Sequence, residues 1–79
     1  MYTFHPFVGN VQAVCDVLAV LPDETFSGVK VDTPVVVQYC LYPHNEEDAT
    51  DSVFSRELTS EEEASLLKQF EEFVNDYRN

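Results

Sequence analysis

Positive charge is the scarcest feature of this sequence: four lysines and arginines stand against fifteen acids, a formal charge of -11 over 79 residues. That scarcity disfavours direct binding to DNA or RNA, because phosphate contacts need Lys and Arg. Lys30, Arg56, Lys68 and Arg78 stand singly along the chain, so no basic patch backs the aromatics that base stacking would use. Anionic membrane surfaces are disfavoured for the same reason. No apolar run is long enough to span a bilayer, and no basic segment leads into an apolar one as in a signal peptide. The first residue is Met with no tag-like stretch behind it, which reads as a complete gene product. Cysteine is scarce as well. Cys15 and Cys40 are too few for a disulfide scaffold and sit among valines, leucines and tyrosines. Each is expected to be a small buried hydrophobe, in a protein of the reducing cytoplasm.

Catalytic patterns are missing too. His5 and His44 are the only histidines, and no Gly-x-Ser-x-Gly nucleophile elbow occurs. A Cys–His pair needs a thiolate in an electropositive, accessible place. Cys40 instead falls in an apolar stretch of a chain whose negative field raises a thiol's pKa. The reading is therefore of a protein that is not an enzyme. Nitrogen and oxygen ligands do crowd one stretch, from His44 through Asn45, Glu46, Glu47 and Asp48 to Asp51. A calcium loop of the EF-hand type needs Gly at its sixth position. Counted from Asn45 that position is Thr50, and counted from Glu46 it is Asp51. Zinc needs two or more His or Cys at close spacing, and this stretch has one. No metal or cofactor is expected.

What the chain does have is a core. An apolar fraction of 44% with six Phe and four Tyr is far from the composition of a disordered acidic tail. The length suits one domain, 1–79, near the lower end of what folds without staples. The strongest local pattern runs from Leu58 to Asn79. Thr59 and Glu62 fit a capping box, with Ser60 and Glu63 as the same motif shifted by one. Three glutamates, Glu61 to Glu63, fall in the first turn, where the helix dipole favours them. Leu66, Leu67, Phe70, Phe73, Val74 and Tyr77 share an arc of about 120°. Glu61, Glu62, Ser65, Gln69, Glu72 and Asp76 fall opposite, so the spacing predicts an amphipathic helix with an anionic back.

Upstream, Met1 to Phe7 alternates like a short strand that Pro6 would end or confine to a sheet edge. Gly9 and Asn10 read as a turn, with Asn10 an N-cap for a helix over Val11 to Leu21. Val11, Val14, Cys15, Val17, Leu18 and Leu21 would share its buried face, although four valines argue for a strand. Pro22 to Gly28 reads as a loop with Phe26 tucked onto the core. Val29 and Val31 suggest a short strand before the turn-forming Asp32 to Pro34. Val35 to Tyr42, apolar on both faces, reads as a central strand. Pro43 to Asp51 reads as an acidic hairpin loop, and Ser52 to Leu58 as the next strand. The expected fold is α+β: an antiparallel sheet of three strands, four if the N-terminal segment joins, packed against two helices in the order (β)αβββα.

Charge is unevenly spread. Residues 1 to 42 hold four acids and one base, and residues 43 to 79 hold eleven acids and three bases. In size, charge and compactness the chain resembles the small acidic proteins that bacteriophages encode against host defence and nucleic-acid enzymes, anti-CRISPR proteins among them. No motif is matched along any part of the chain, so the resemblance assigns no residues. The charge distribution itself points to a basic, nucleic-acid-handling protein as partner, bound through Glu46, Glu47, Asp48 and Asp51 of the loop and Glu61, Glu62, Glu72 and Asp76 of the helix. Glu61 to Asp76 spans about 22 Å at the helical rise, against one charge per about 1.7 Å of duplex. Mimicry of nucleic acid would therefore need the loop acids as well. Tyr42 or Tyr77, if exposed, would add aromatic anchors. The alternative is an adaptor or homo-oligomeric module that docks by apolar surface, with the acids serving solubility alone.

Overall fold

The computed structural model describes residues 1–78. Its first third is a β-hairpin. Tyr2, Phe4, Pro6 and Val8 are buried or half-buried, while Thr3, His5 and Phe7 between them are exposed, the two-residue period of a strand with one covered face. This strand is recorded as β1 (Tyr2–Phe4) and β2 (Phe7–Val8), both antiparallel to β3 (Val11–Val20). One register runs through both halves, from Tyr2 opposite Val17 to Val8 opposite Val11. Pro6 interrupts the ladder only because it has no N–H to give; its carbonyl still accepts from Ala13 N at 2.8 Å. Gly9 and Asn10 close the hairpin, with Gly9 at φ 61, the left-handed first position that a tight hairpin turn of type II′ requires.

The helix expected over Val11 to Leu21 is therefore a strand, and Asn10 is a turn residue rather than an N-cap. A segment this apolar satisfies either period. Gln12 and Asp16, four apart, share a face in a strand and in a helix alike, so they do not separate the two. Four β-branched valines and the adjoining Gly-Asn turn favour the strand. Ala13, Cys15 and Val17 line the covered face at 0–2% exposure.

A small hairpin follows, β4 (Thr25–Phe26) with β5 (Val29–Lys30), its turn made by Ser27 at φ 54 and Gly28 at φ 82. Two successive left-handed residues define the type I′ turn that suits strand twist. Phe26 does not tuck onto the core; it stays 45% exposed at the hairpin tip. The chain then returns as β6 (Val35–Pro43), antiparallel to β3 on the side opposite β1 and β2. The strand at Val35 to Tyr42 is as expected, but it is an edge strand and β3 is the centre. Register shifts between Leu18 and Ala19, which face Gln38 and Val36, so Val37 is an extra residue bulged out of β6. Because the helix covers only one face of the sheet, the other face of β6 is open: Cys40, expected to be buried, is exposed.

Ser52 to Leu58 is not a strand. After β6 come two short 3-10 turns, Glu46–Thr50 and Ser52–Phe54, capped by the side chains of Asn45 and Asp51. The connection is thus no hairpin loop but a route from sheet to helix, with Val53 buried along the way. The single long helix, α1 (Ser60–Arg78), forms where the sequence places it. Its capping box is complete: Glu62 N donates to Thr59 Oγ1 at 3.2 Å, and Thr59 N donates to Glu62 Oε1 at 2.9 Å.

One layer of helix covers one face of the sheet. The core gathers Phe4, Cys15, Val17 and Leu21 from the sheet side with Leu66, Phe70 and Val74 from α1. Phe70 sits 5.4 Å from Phe4 and 6.4 Å from Tyr2, centroid to centroid, and Phe4 lies 5.5 Å from Phe73. Burial of a Phe or Leu of this kind contributes about 1.5–3 kcal/mol. Gln69 fixes the helix over the β2 side. Its amide takes Phe7 N and gives to Phe7 O, both at 2.8 Å, as a neighbouring strand would. No described helix is long and apolar enough to cross a membrane.

Candidate functional site

The eight carboxylates singled out above fall into two groups. Glu46, Glu47 and Asp48 make the first turn of one 3-10 segment, and Asp48 N donates to Asn45 Oδ1 at 3.1 Å. Asp51 begins the next, accepting from Val53 N at 3.0 Å. These four are brought together by the two consecutive turns beside the end of β6, with Asp48 half-buried and the rest exposed. Glu61, Glu72 and Asp76 form the second group. At about 100° per residue they share a strip about 60° wide on the back of α1, and all three are exposed.

Glu62 belongs to neither group. It is half-buried and turned to the side of the helix, where Arg56 grips it with two bonds of 2.8 and 3.0 Å. Those bonds, with the one from Thr59 N, hold its carboxyl down at about 2. Its placement on the outer face is corrected accordingly: a carboxylate already satisfied by a guanidinium and a helix N-terminus has little left to offer a partner. The pair instead ties the 3-10 segment to the start of α1, so it is the joint between the two acidic groups. Gln69 also leaves the outer face, drawn to the Phe7 backbone.

Elsewhere the acids are largely free of cations. Among the described residues, only Asp23 and Glu62 make ion pairs, with Lys30 at 4.0 Å and Arg56 at 2.8 Å. The two aromatic anchors differ. Tyr42 is exposed on the open face of the sheet, and the negative potential of Cys40 and Asp16 pushes its phenol up. Tyr77 is exposed but stacks on Phe73 and meets Tyr2 edge to face, at 6.2 Å each.

The thiols part ways. Cys15 is fully enclosed, and burial, with Asp16 and Cys40 adding to it, pushes its thiol up to about 12. That direction suppresses the thiolate a nucleophile needs. His5 and His44 meet edge to face at 5.3 Å. Among the described residues no three His, Cys, Asp or Glu side chains gather where they could hold a metal ion.

Two features escape a reading of the sequence. The first is the uncovered sheet face, which displays Phe7, Leu18 and Tyr42 around the Thr3–Asp16 hydrogen bond of 2.7 Å. The second is a groove of about 530 Å³ between β6 and α1, floored by Val36, Tyr39 and Phe70 and walled by Glu63, Leu67 and Glu71. A further hollow of about 410 Å³ shares Tyr39 and Glu63 with it and runs on past Leu41, Leu58 and Glu57. The groove exists because α1 is anchored over β2 and leaves β6 overhanging. Leu67, in the apolar arc of the helix yet 38% exposed, marks the same offset.

Compared with protein-family models, curated proteins and solved structures, the chain matches none of them.

Proposed function

We propose that this chain is a non-enzymatic, protein-binding inhibitor or regulator that docks by its carboxylates on the basic surface of a nucleic-acid-handling protein. There it takes the place of phosphates, in the manner of a phage-encoded anti-defence or anti-CRISPR protein acting in a host cytoplasm. What carries the reading is the state of the acids: six of the eight singled out, Glu46, Glu47, Asp51, Glu61, Glu72 and Asp76, are exposed and make no ion pair among the described residues. Such a field attracts a basic surface from a distance and makes the encounter salt-sensitive. Glu62 is set aside from the docking group, because Arg56 already occupies it.

The test is displacement. A labelled duplex or guide RNA is bound to a basic effector, such as a CRISPR nuclease, and this protein is added at about 0.1 M and about 1 M salt, between which the screening length falls from about 10 to about 3 Å. Displacement at the lower salt only is expected, and a variant with Glu46, Glu47, Glu61, Glu72 and Asp76 all changed to Lys should lose it. Displacement that survives that variant would reject the electrostatic reading.

One observation favours a second reading, an adaptor or homo-oligomeric module docking by apolar surface. Phe7, Leu18 and Tyr42 stand exposed on a sheet face that no helix covers. Sedimentation of the purified protein as a dimer, broken by Leu18→Lys, would select it.

A further inference from the structure

The sheet is one strand short on its β6 side. In an antiparallel ladder alternate residues of an edge strand aim both N–H and C=O outward. Among the described residues those groups of β6 have no partner: β6 pairs with β3 alone, and no other hydrogen bond reaches the backbone of Val35 to Pro43. The other edge is treated differently, since Gln69 closes it at Phe7 with two bonds. Proteins commonly guard such an edge with charge, proline or a bulge. β6 carries no charge, and its one proline, Pro43, is its last residue. The bulge at Val37 and Pro43 guard the two ends, leaving Gln38 to Tyr42 between them in unbroken register. Beneath that edge lies the groove, where half-buried Tyr39 and exposed Leu67 present apolar surface that no described residue fully covers.

We propose that β6 receives an extended segment of the basic partner as an additional strand, its inward side chains filling the groove under α1. The occupant is chosen by charge and spacing. Glu63 and Glu71 line the groove eight residues apart on the helix, about 12 Å at its rise. Along a strand, side chains on one face four residues apart are about 13 Å distant. The fitting sequence is therefore Lys or Arg, then an apolar residue two further on, then Lys or Arg again two beyond that. The central side chain meets Tyr39 and Leu67 while the flanking cations reach Glu63 and Glu71. Glu57 extends the acidic rim along the adjoining hollow, which Arg56, paired to Glu62, also lines, and Lys68 is the one cation among the described residues lining the groove itself. A second copy of this chain is a poor occupant, because its own β6 has no base to offer and it brings the same -11. Strand addition of this kind draws affinity from main-chain bonds and specificity from alternate side-chain pockets.

The inference rests on the proposed reading of a basic partner, but its test does not need that partner. A capped peptide as long as β6, with Lys-Thr-Val-Thr-Lys at its centre and threonines on either side, is titrated into isotopically labelled protein. Shifts and slowed amide exchange are expected along Gln38 to Leu41. N-methylation of one alternate set of peptide amides should abolish binding and methylation of the other set should leave it intact, since only one set faces β6. Glu63→Gln with Glu71→Gln should weaken binding by about tenfold, at about half a log unit per partly exposed pair.

Shifts confined to the back of α1 or to the 3-10 turns would overturn the proposal. So would equal binding of both methylated peptides, or β6 amides already protected in a dimer of the free protein. If the peptide fails while salt-sensitive displacement of nucleic acid persists, the edge assignment falls and the functional reading stands. If the peptide binds β6 but no nucleic-acid-handling protein is displaced, the reverse holds.

Discussion

Gln69 decides which edge of this sheet is open, and changing it tests that idea quantitatively. Its amide makes two hydrogen bonds of 2.8 Å to the Phe7 backbone, one accepted and one donated, across 62 positions of sequence. An intramolecular hydrogen bond contributes about 0.5–1.5 kcal/mol net. Both bonds lie near the surface, so the lower half of that range applies and Gln69→Ala should cost about 1–2 kcal/mol. Alanine is the better helix former by only a few tenths of a kcal/mol, which offsets little of this. A chain of this size has an m-value near 1 kcal/mol/M in urea, so the midpoint should fall by about 1–2 M. Gln69→Glu keeps the acceptor but loses the donor, and should fall between wild type and Gln69→Ala. Glu72→Ala, on the exposed back of the same helix, serves as the control and should shift little. Amide exchange at Phe7 is the second readout, rising in both Gln69 variants as its acceptor is lost or its geometry loosened. If Gln69→Ala unfolds with Glu72→Ala and the Phe7 amide stays protected, then the helix is held by apolar packing alone. The offset that creates the groove would then need another cause.

Three further outcomes follow from the core and the capping joint. Phe70→Ala removes the ring at the centre of the aromatic cluster, buried to 1%. It should cost about 3–5 kcal/mol, a large share of the roughly 4–12 kcal/mol that a chain of this length has in total, as read by urea unfolding. Glu62 has its carboxyl lowered from the ordinary 4.5 to about 2 by Arg56 first and Thr59 second. A depressed carboxyl stabilises the fold above 4.5 and loses that contribution as pH falls through about 2. Acid unfolding of Glu62→Gln should therefore lack part of the slope that wild type shows between those values. A thiol reagent at mildly alkaline pH should label Cys40 at once and Cys15 only on unfolding, because one is exposed and the other enclosed.

How legible this was in the sequence depended on whether a segment's polar residues broke the tie between periods. Over α1 they do: Thr59, the three glutamates and the exposed Glu72 and Asp76 fit a helix and nothing else, so its start and covered face could be read directly. Over Val11 to Val20 apolar residues occupy most positions, and a wheel always finds a face in such a run. Only the four β-branched valines, and the Gly9–Asn10 turn in front of them, distinguish strand from helix. The error propagated. With β3 taken for a helix, β6 had to serve as the central strand, Cys40 had to be buried, and Ser52 to Leu58 was needed as an edge.

The same substitution of one element explains why the proposed docking surface was only half visible. Carboxylates are exposed wherever they fall, so the acidic groups of the 3-10 turns and the helix back could be named from residue type. An open edge, by contrast, is a property of topology: Val35 to Pro43 reads as apolar in any context, and nothing local says whether a neighbour lies beyond it. That neighbour is absent because a single helix, tied at Gln69 to the far edge, cannot reach across three strands. Repulsion in a protein of charge -11 opposes self-association along the stretch between the Val37 bulge and Pro43, where no guard residue lies. On the proposed reading, the charge that opposes pairing between copies is also the charge that would admit a basic strand. On this view the acids and the bare edge are two parts of one selective surface, since either alone would bind indiscriminately: the edge any extended chain, the acids any cation.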